Sequence, residues 1–244
     1  MATPTTVQLL WGTQQRPKRG PKPALSLDGI VDEAIAIADR EGLANLSMQR
    51  LAESLGFTKM SLYRYVPGKE QLMALMLDAG MGTPPDTAAA QGDSANEAWR
   101  AGLRLWSESI YERYRAHPWA IELTVGVRPF GPNEMGWTEA ALAALTGTGL
   151  TGSERLDTIV LVHGHVQSLA RQTQSLGDDP GGQFAEQFAE MMAQAGDRFP
   201  AVAAAFAEEA AATASSGGSN DALNFGIERV LDGLAVLIAR RSGS

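Results

Sequence analysis

The chain has 244 residues, 44% of them hydrophobic and 20% charged, an ordinary globular composition with room for a sizeable core. It contains no cysteine, which excludes disulfides, thiolate zinc sites and a cysteine nucleophile and suits a reducing cytoplasm. The net charge of −8 argues against wholesale nucleic-acid binding, yet residues 16–82 carry 9 Lys and Arg against 8 Asp and Glu while residues 83–244 carry 11 against 20, so a locally basic head on an acidic body suggests two jobs.

The opening MATPTTVQLLWGTQQ holds an apolar patch without a preceding basic residue or a small-residue cleavage site, so no signal peptide is expected. No apolar run approaches the roughly 18 residues of a membrane span. RPKRGPKPALS then interleaves Arg16, Lys18, Arg19 and Lys22 with three prolines and a glycine. Each proline lacks an N–H and pushes its predecessor into extended geometry, so residues 1–24 read as a flexible basic arm. Alone, such an arm is a solubilising tail. Ahead of a helix-turn-helix it becomes a strap able to reach a DNA groove.

Ser26 is a predicted N-cap, with Asp28 suited to the positive helix end. Ile30, Ala34, Ile37 and Ala38 recur on one helical face, and Gly42 ends that helix. Ser47 caps a second helix with Leu51 and Leu55 inward and Gly56 as its stop. Thr58 caps a third, with Leu62 and Val66 inward, and Pro67-Gly68 breaks it before a fourth begins near Lys69. Helix, helix, tight turn and short helix over residues 25–72 is a helix-turn-helix pattern, whose second helix enters the major groove. The outward positions of the third helix are Lys59, Ser61, Tyr63, Arg64 and Tyr65. Lys and Arg donate to guanine edges; Ser and Tyr hydroxyls, with Lys69 at the next helix start, suit phosphate oxygens.

IVDEAIAIADREGLANLSMQRLAESLG followed by MSLYRYVPGKEQL closely resembles the DNA-binding domain of tetracycline-repressor-type regulators. The body segments HPWAIELTVG, FGPNEMGWTEAALAALTGTGL and VLVHGHVQ resemble the all-helical C-terminal domain of the same family. The resemblance implies an all-α chain with an N-terminal three-helix DNA-binding domain and a ligand-binding and dimerisation domain over residues 73–244. It implies base-reading slots at Gln49, Lys59, Met60 and Arg64, and phosphate-positioning slots at Ser47, Ser61, Tyr63, Tyr65 and Lys69. It also implies a homodimer on double-stranded, near-palindromic operator DNA.

Along the body, Trp99, Leu103, Trp106 and Ile110 mark one long helix. A short helix follows between Pro118 and Gly126, another from near Asn133 to Gly147, and a long one after Gly152. QFAEQFAEMMAQAG reads as a helix after a Pro-Gly-Gly loop, ATASSGGSN as a flexible loop, and the chain closes on a last helix from Asp221. Ile159, Val162, Val166 and Leu169 line one face of the long helix; Phe225, Val230, Leu234 and Leu237 line the last. Core is one reading of these stripes, and the resemblance implies that they form a four-helix dimer interface.

Met76, Trp106, Trp119, Phe130 and Trp137 read either as aromatic core or as the wall of a cavity for an apolar or aromatic effector, with His163, Gln167 and His117 as polar candidates. His163 and His165 point to different sides of a helix, so no metal site is expected, and no cofactor. No strained nucleophile elbow or Gly-rich phosphate loop surrounds the Ser, His and Asp residues, so an enzyme is not expected. Two functions stay open from the sequence. One is a ligand-responsive regulator, a repressor by the family's habit. The other is a ligand-independent DNA-binding or architectural protein with a solid helical body.

Overall fold

The computed structural model describes residues 4–12, 24–90, 95–175, 180–216 and 221–242. Among these the chain forms twelve α-helices and no strand: α1 (Thr6–Trp11), α2 (Leu27–Glu41), α3 (Met48–Leu55), α4 (Lys59–Leu62), α5 (Lys69–Met81), α6 (Ala95–Ala116), α7 (Ala120–Leu123), α8 (Pro132–Ala144), α9 (Gly152–Ser175), α10 (Pro180–Ala195), α11 (Pro200–Ser216) and α12 (Ala222–Ser242).

The head is built from caps and small buried faces. Ser26 Oγ accepts from Gly29 N at 3.1 Å, and α2 buries Ile30, Val31, Ala34, Ile37 and Ala38. Ser47 Oγ accepts from Arg50 N at 3.1 Å, and Gly56 ends α3 with φ 73°, a left-handed conformation that glycine adopts without a Cβ clash. The helix capped by Thr58 is a single turn, followed by turn residues 63–65. Such a helix has no stability of its own. Leu62 and Val66 hold it, both fully buried, each contributing roughly 1.5–3 kcal/mol by removal from water.

α1 is a correction to the arm expected to be flexible over residues 1–24, whose Thr6–Trp11 segment is helical. Thr5 and Gln8 form a reciprocal capping box, and Leu10 is buried where α1 packs against α5. The bonds are Gln8 N to Thr5 Oγ1 at 3.2 Å and Thr5 N to Gln8 Oε1 at 2.9 Å.

α5 leaves the head and becomes part of the body. It packs against α2 and α1 on one side and against α7, α8 and α6 on the other. α6 buries Trp99, Leu103, Trp106, Ile110 and Tyr114 and lies against α8 and α9. α12 closes the bundle on α9 and α6, where Arg100 bonds Asp232 at 2.6 Å and both Arg100 and Arg104 pair with Glu228. One expected loop is helical and a second is so in part. α10 starts at Pro180, so Pro-Gly-Gly forms its first turn, as a proline at a helix start can. α11 runs to Ser216, taking in the first residues of ATASSGGSN; residues 217–220 lie outside the described residues.

Candidate functional sites

The polar face of the head comes from α3 and α4. Ser47, Gln49, Lys59, Met60 and Arg64 are exposed, as is Lys69 at the start of α5. Met60 is the most exposed large apolar side chain of the head, at 71%. Gln49 Nε2 donates to Glu53 Oε1 at 2.6 Å. Lys59 Nζ sits 5.7 Å from the centre of the Tyr63 ring, which keeps both on one face. Ser61 shares a 2.9 Å hydroxyl contact with Thr58 and is half-buried.

One residue of the set has another job. The Tyr65 hydroxyl donates to Leu25 O at 3.0 Å, fastening the turn after α4 to the start of α2. Its proton is therefore spent inside the head and not free for a phosphate. Arg16, Lys18, Arg19 and Lys22 lie outside the described residues.

In the body a cavity of about 410 Å³ opens between α6, α8, α9 and the loop from Thr124 to Phe130. Five of the expected residues line it: Trp106, Phe130, Trp137, His163 and Gln167. A solid, cavity-free body is not what the chain builds. Met76 and Trp119 are corrections, as is His117. Met76 is fully buried on α5 away from the cavity. Trp119 Nε1 donates to Asp39 Oδ1 at 2.6 Å, and His117 Nδ1 lies 2.9 Å from the same oxygen. These two side chains join the body to α2 of the head rather than line a ligand site.

Sequence reading missed the cavity's polar partners. Tyr114 Oη and His163 Nε2 are 2.7 Å apart. Burial, then the Arg128 charge, holds His163 down at about 4, and burial above all pushes Tyr114 up to about 12. At neutral pH the pair is uncharged and shares one bridging proton. Arg128 grips Glu134 with a two-pronged ion pair at 2.7 and 2.5 Å. Gln167 Nε2 donates to Thr124 Oγ1 at 2.8 Å. Trp106 Nε1 donates to Trp137 O at 2.8 Å, and Trp137 Nε1 reaches the Met81 and Gly82 carbonyls at 3.1 and 3.0 Å. Both indole N–H groups are thus satisfied, leaving ring faces as wall.

The cavity is wired to α5. Asp78 Oδ1 accepts from Asn133 N at 2.9 Å and Glu134 N at 3.0 Å, capping α8 from another helix because Gly131 at the cap has no side chain. A Cβ on Gly131 would sit 2.2 Å from Asp78 Oδ1, so only glycine fits there. Burial raises the Asp78 pKa even against these two backbone donors. Trp11 Nε1 of α1 donates to Phe130 O at 2.8 Å, tying α1 to the cavity rim as well.

The expected dimer stripes divide. Val162, Val166 and Leu234 are buried in the chain's own core, and Ile159 lines the cavity. Val230 and Leu237 pack partly against the same core, and Leu169 is half-buried. Val162, Val166 and Leu234 thus serve the subunit's own core, while Ile159, Leu169, Val230 and Leu237 keep part of their surface exposed. The exposed large apolar residues of α9 and α12 are Leu156 and Val160, which border the cavity, and Leu161, Phe225 and Val236, with open space beside Gly164 and Gly233. Of the expected set Phe225 is the exposed member. Among the described residues no group of three or more His, Asp or Glu side chains is placed to hold a metal, and no helix is long and apolar enough to cross a membrane.

Comparison with known proteins accounts for both halves. Residues 30–76 match the family of bacterial regulatory proteins named for tetR, and residues 91–238 match the tetracycline-repressor-like C-terminal domain. The transcriptional repressor DrrR1 of Streptomyces coeruleorubidus is 39% identical over 98% of this chain and 87% of its own length. The class E tetracycline repressor of Escherichia coli is 29% identical over 54% of this chain and 61% of its own. The structure of ActR from Streptomyces coelicolor in complex with actinorhodin superposes with a TM-score of 0.70 at 25% identity, covering 88% of this chain and 98% of that one. With both domains matched in order and a full-length repressor relative, the chain belongs to the TetR family of transcriptional regulators.

Proposed function

We propose that the chain is a dimeric repressor that grips a near-palindromic operator through the α3–α4 face and the basic arm, and releases it when an apolar, aromatic small molecule enters the body cavity. The observation that carries this reading is the wiring of the cavity to the head. α8, which supplies Glu134, Trp137 and Thr138 to the wall, is capped by Asp78 and bonded to the end of α5, and α5 starts beside the DNA-facing Lys69. A ligand that displaces α8 displaces α5. The aromatic walls and the ActR complex with actinorhodin support the ligand class. In the dimer, the outward face of α9 and α12 around Leu161, Phe225 and Val236 meets its copy.

Selecting bound DNA from a random pool gives the operator to test. Lys59→Ala and Arg64→Ala then relax base preference, each costing roughly 1–3 kcal/mol at its own position for a bidentate contact. Lys69→Ala weakens all sequences alike and flattens the salt slope by about one. Tyr65→Phe leaves that slope unchanged. Titrations in which Lys59, Arg64 and Lys69 can all be replaced without loss rule the DNA-binding face out.

A further inference from the structure

We infer that Arg128 selects the effector: its Nε–H is the donor for a neutral oxygen acceptor, a carbonyl or phenol oxygen, on a planar aromatic ligand. This rests on the aromatic-effector reading above and names the polar group that such a ligand must carry.

Arg128 lines the cavity. Its two terminal nitrogens are committed to the two oxygens of Glu134. Its Nε is buried and finds no acceptor among the described residues. A buried donor without a partner is a standing cost that a ligand oxygen removes. The guanidinium is also held still. It lies over the Phe130 ring, 4.9 Å from its centre, and the Glu134 fork fixes its plane. Arg155 also has a buried Nε without an acceptor, but it does not line the cavity.

The charge balance decides which oxygen is wanted. Glu134 already neutralises Arg128, and the Tyr114–His163 pair is uncharged at neutral pH because His163 is held at about 4 and Tyr114 at about 12. A carboxylate or phosphate entering here gains no unpaired cation and meets the Glu134 charge in a poorly solvated site. A neutral acceptor takes the Nε–H without that repulsion. The Trp106 and Trp137 indoles cannot substitute as donors, since both N–H groups are spent on backbone carbonyls. They supply the flat apolar faces between which a ring system rests.

The test uses the full chain and three probes of one ring size: anthracene, 1,8-dihydroxyanthraquinone and anthraquinone-2-carboxylate, titrated against tryptophan emission. The expected order puts dihydroxyanthraquinone about tenfold tighter than anthracene, the worth of one hydrogen bond to a charged donor, and the carboxylate weaker than the dihydroxy probe. Two altered chains follow. Arg128→Met with Glu134→Gln removes the donor and both charges; Arg128→Lys keeps a cation for Glu134 but puts no donor at the Nε position. In each, the preference over anthracene falls to near one, while circular dichroism matching that of the unaltered chain reports a folded body. A preference that persists in both variants, or a carboxylate that binds tightest to the unaltered chain, overturns the assignment while leaving the aromatic-effector reading in place. Probe ranking on the unaltered chain decides even where a variant does not fold. Binding of none of the three overturns the aromatic-effector reading, and this assignment with it.

Discussion

His163 shows how one side chain ties site chemistry to stability. In the folded chain burial and the Arg128 charge move it from its ordinary 6.5 to about 4. Unfolded chains take up the proton near pH 6.5, so the unfolded state binds more protons throughout the interval between the two values. Stability from this group is complete above pH 6.5 and is lost as the pH falls towards 4, by on the order of 3 kcal/mol at the bottom of the window. Urea denaturation at steps from pH 7 to pH 4 checks this: a His163→Gln chain loses less stability across the window than the unaltered chain does. Equal losses in the two would show that His163 is not the group responsible. His163 was legible in the sequence as a polar candidate among apolar and aromatic cavity residues. Its partner Tyr114 was not, because the two lie 49 positions apart and only the packing of α6 on α9 brings them together. Arg128 and Glu134 escaped for a related reason. Six positions apart across a loop, they fit no helical spacing. Trp119 and His117 misled because aromatic and imidazole side chains suit a domain junction as well as a cavity wall, and composition does not distinguish the two.

At the scale of elements, the caps carried most of the reading. Ser26, Ser47 and Thr58 all cap as their sequence positions predicted, since a hydroxyl ahead of an apolar periodicity has a local use that needs no tertiary information. α1 had a signal of the same kind in Thr5-x-x-Gln8, but a helix of six residues is stable only by packing, here against α5. The expected dimer stripes are partly inward, since Val162, Val166 and Leu234 are buried in the subunit's own core. On a long helix with apolar residues all round, periodicity finds the stripe but does not say which one meets the subunit's own core. α8 is the element whose cap no local rule predicts, because the cap comes from Asp78 on α5. Asp78→Ala uncaps α8 and costs about 1–2 kcal/mol, and thermal melts of the effector-free chain show the loss. Gly131→Ala destabilises as well, for the opposite reason, since its Cβ overlaps Asp78. Adding Asp78→Ala to Gly131→Ala removes the two carboxyl contacts at 2.2 Å and leaves only the Cβ of residue 78, 2.7 Å away, so the double variant is more stable than the sum of the two single losses predicts without recovering the Gly131→Ala loss in full. Strict additivity in that cycle would show that the overlap is not what makes Gly131 necessary.

At the scale of the molecule, the question is whether the Asp78 and Trp137 connections transmit enough free energy to matter. Two heads docked in successive major grooves sit roughly 34–36 Å apart. A ligand alters that geometry only to the extent that it binds the two spacings with different affinity. Coupling energies between sites run to about 1–3 kcal/mol, a factor of roughly 5 to 150 in affinity. α5 is 13 residues long, buried along much of its length, and bonded at its far end to the cavity wall, so it moves as a rod rather than absorbing strain. Linkage is reciprocal: if the aromatic ligand weakens operator binding by some factor, operator DNA weakens ligand binding by the same factor. Titrating 1,8-dihydroxyanthraquinone against tryptophan emission with and without saturating operator measures the second factor, and operator titration with and without the ligand measures the first. Agreement between them establishes the coupling. The Asp78→Ala chain then locates it, since both factors shrink together if the α5–α8 cap is the connection. Undiminished coupling in that chain would place transmission in the remaining contacts between body and head, at Trp119 with Asp39 and at Trp11 with Phe130.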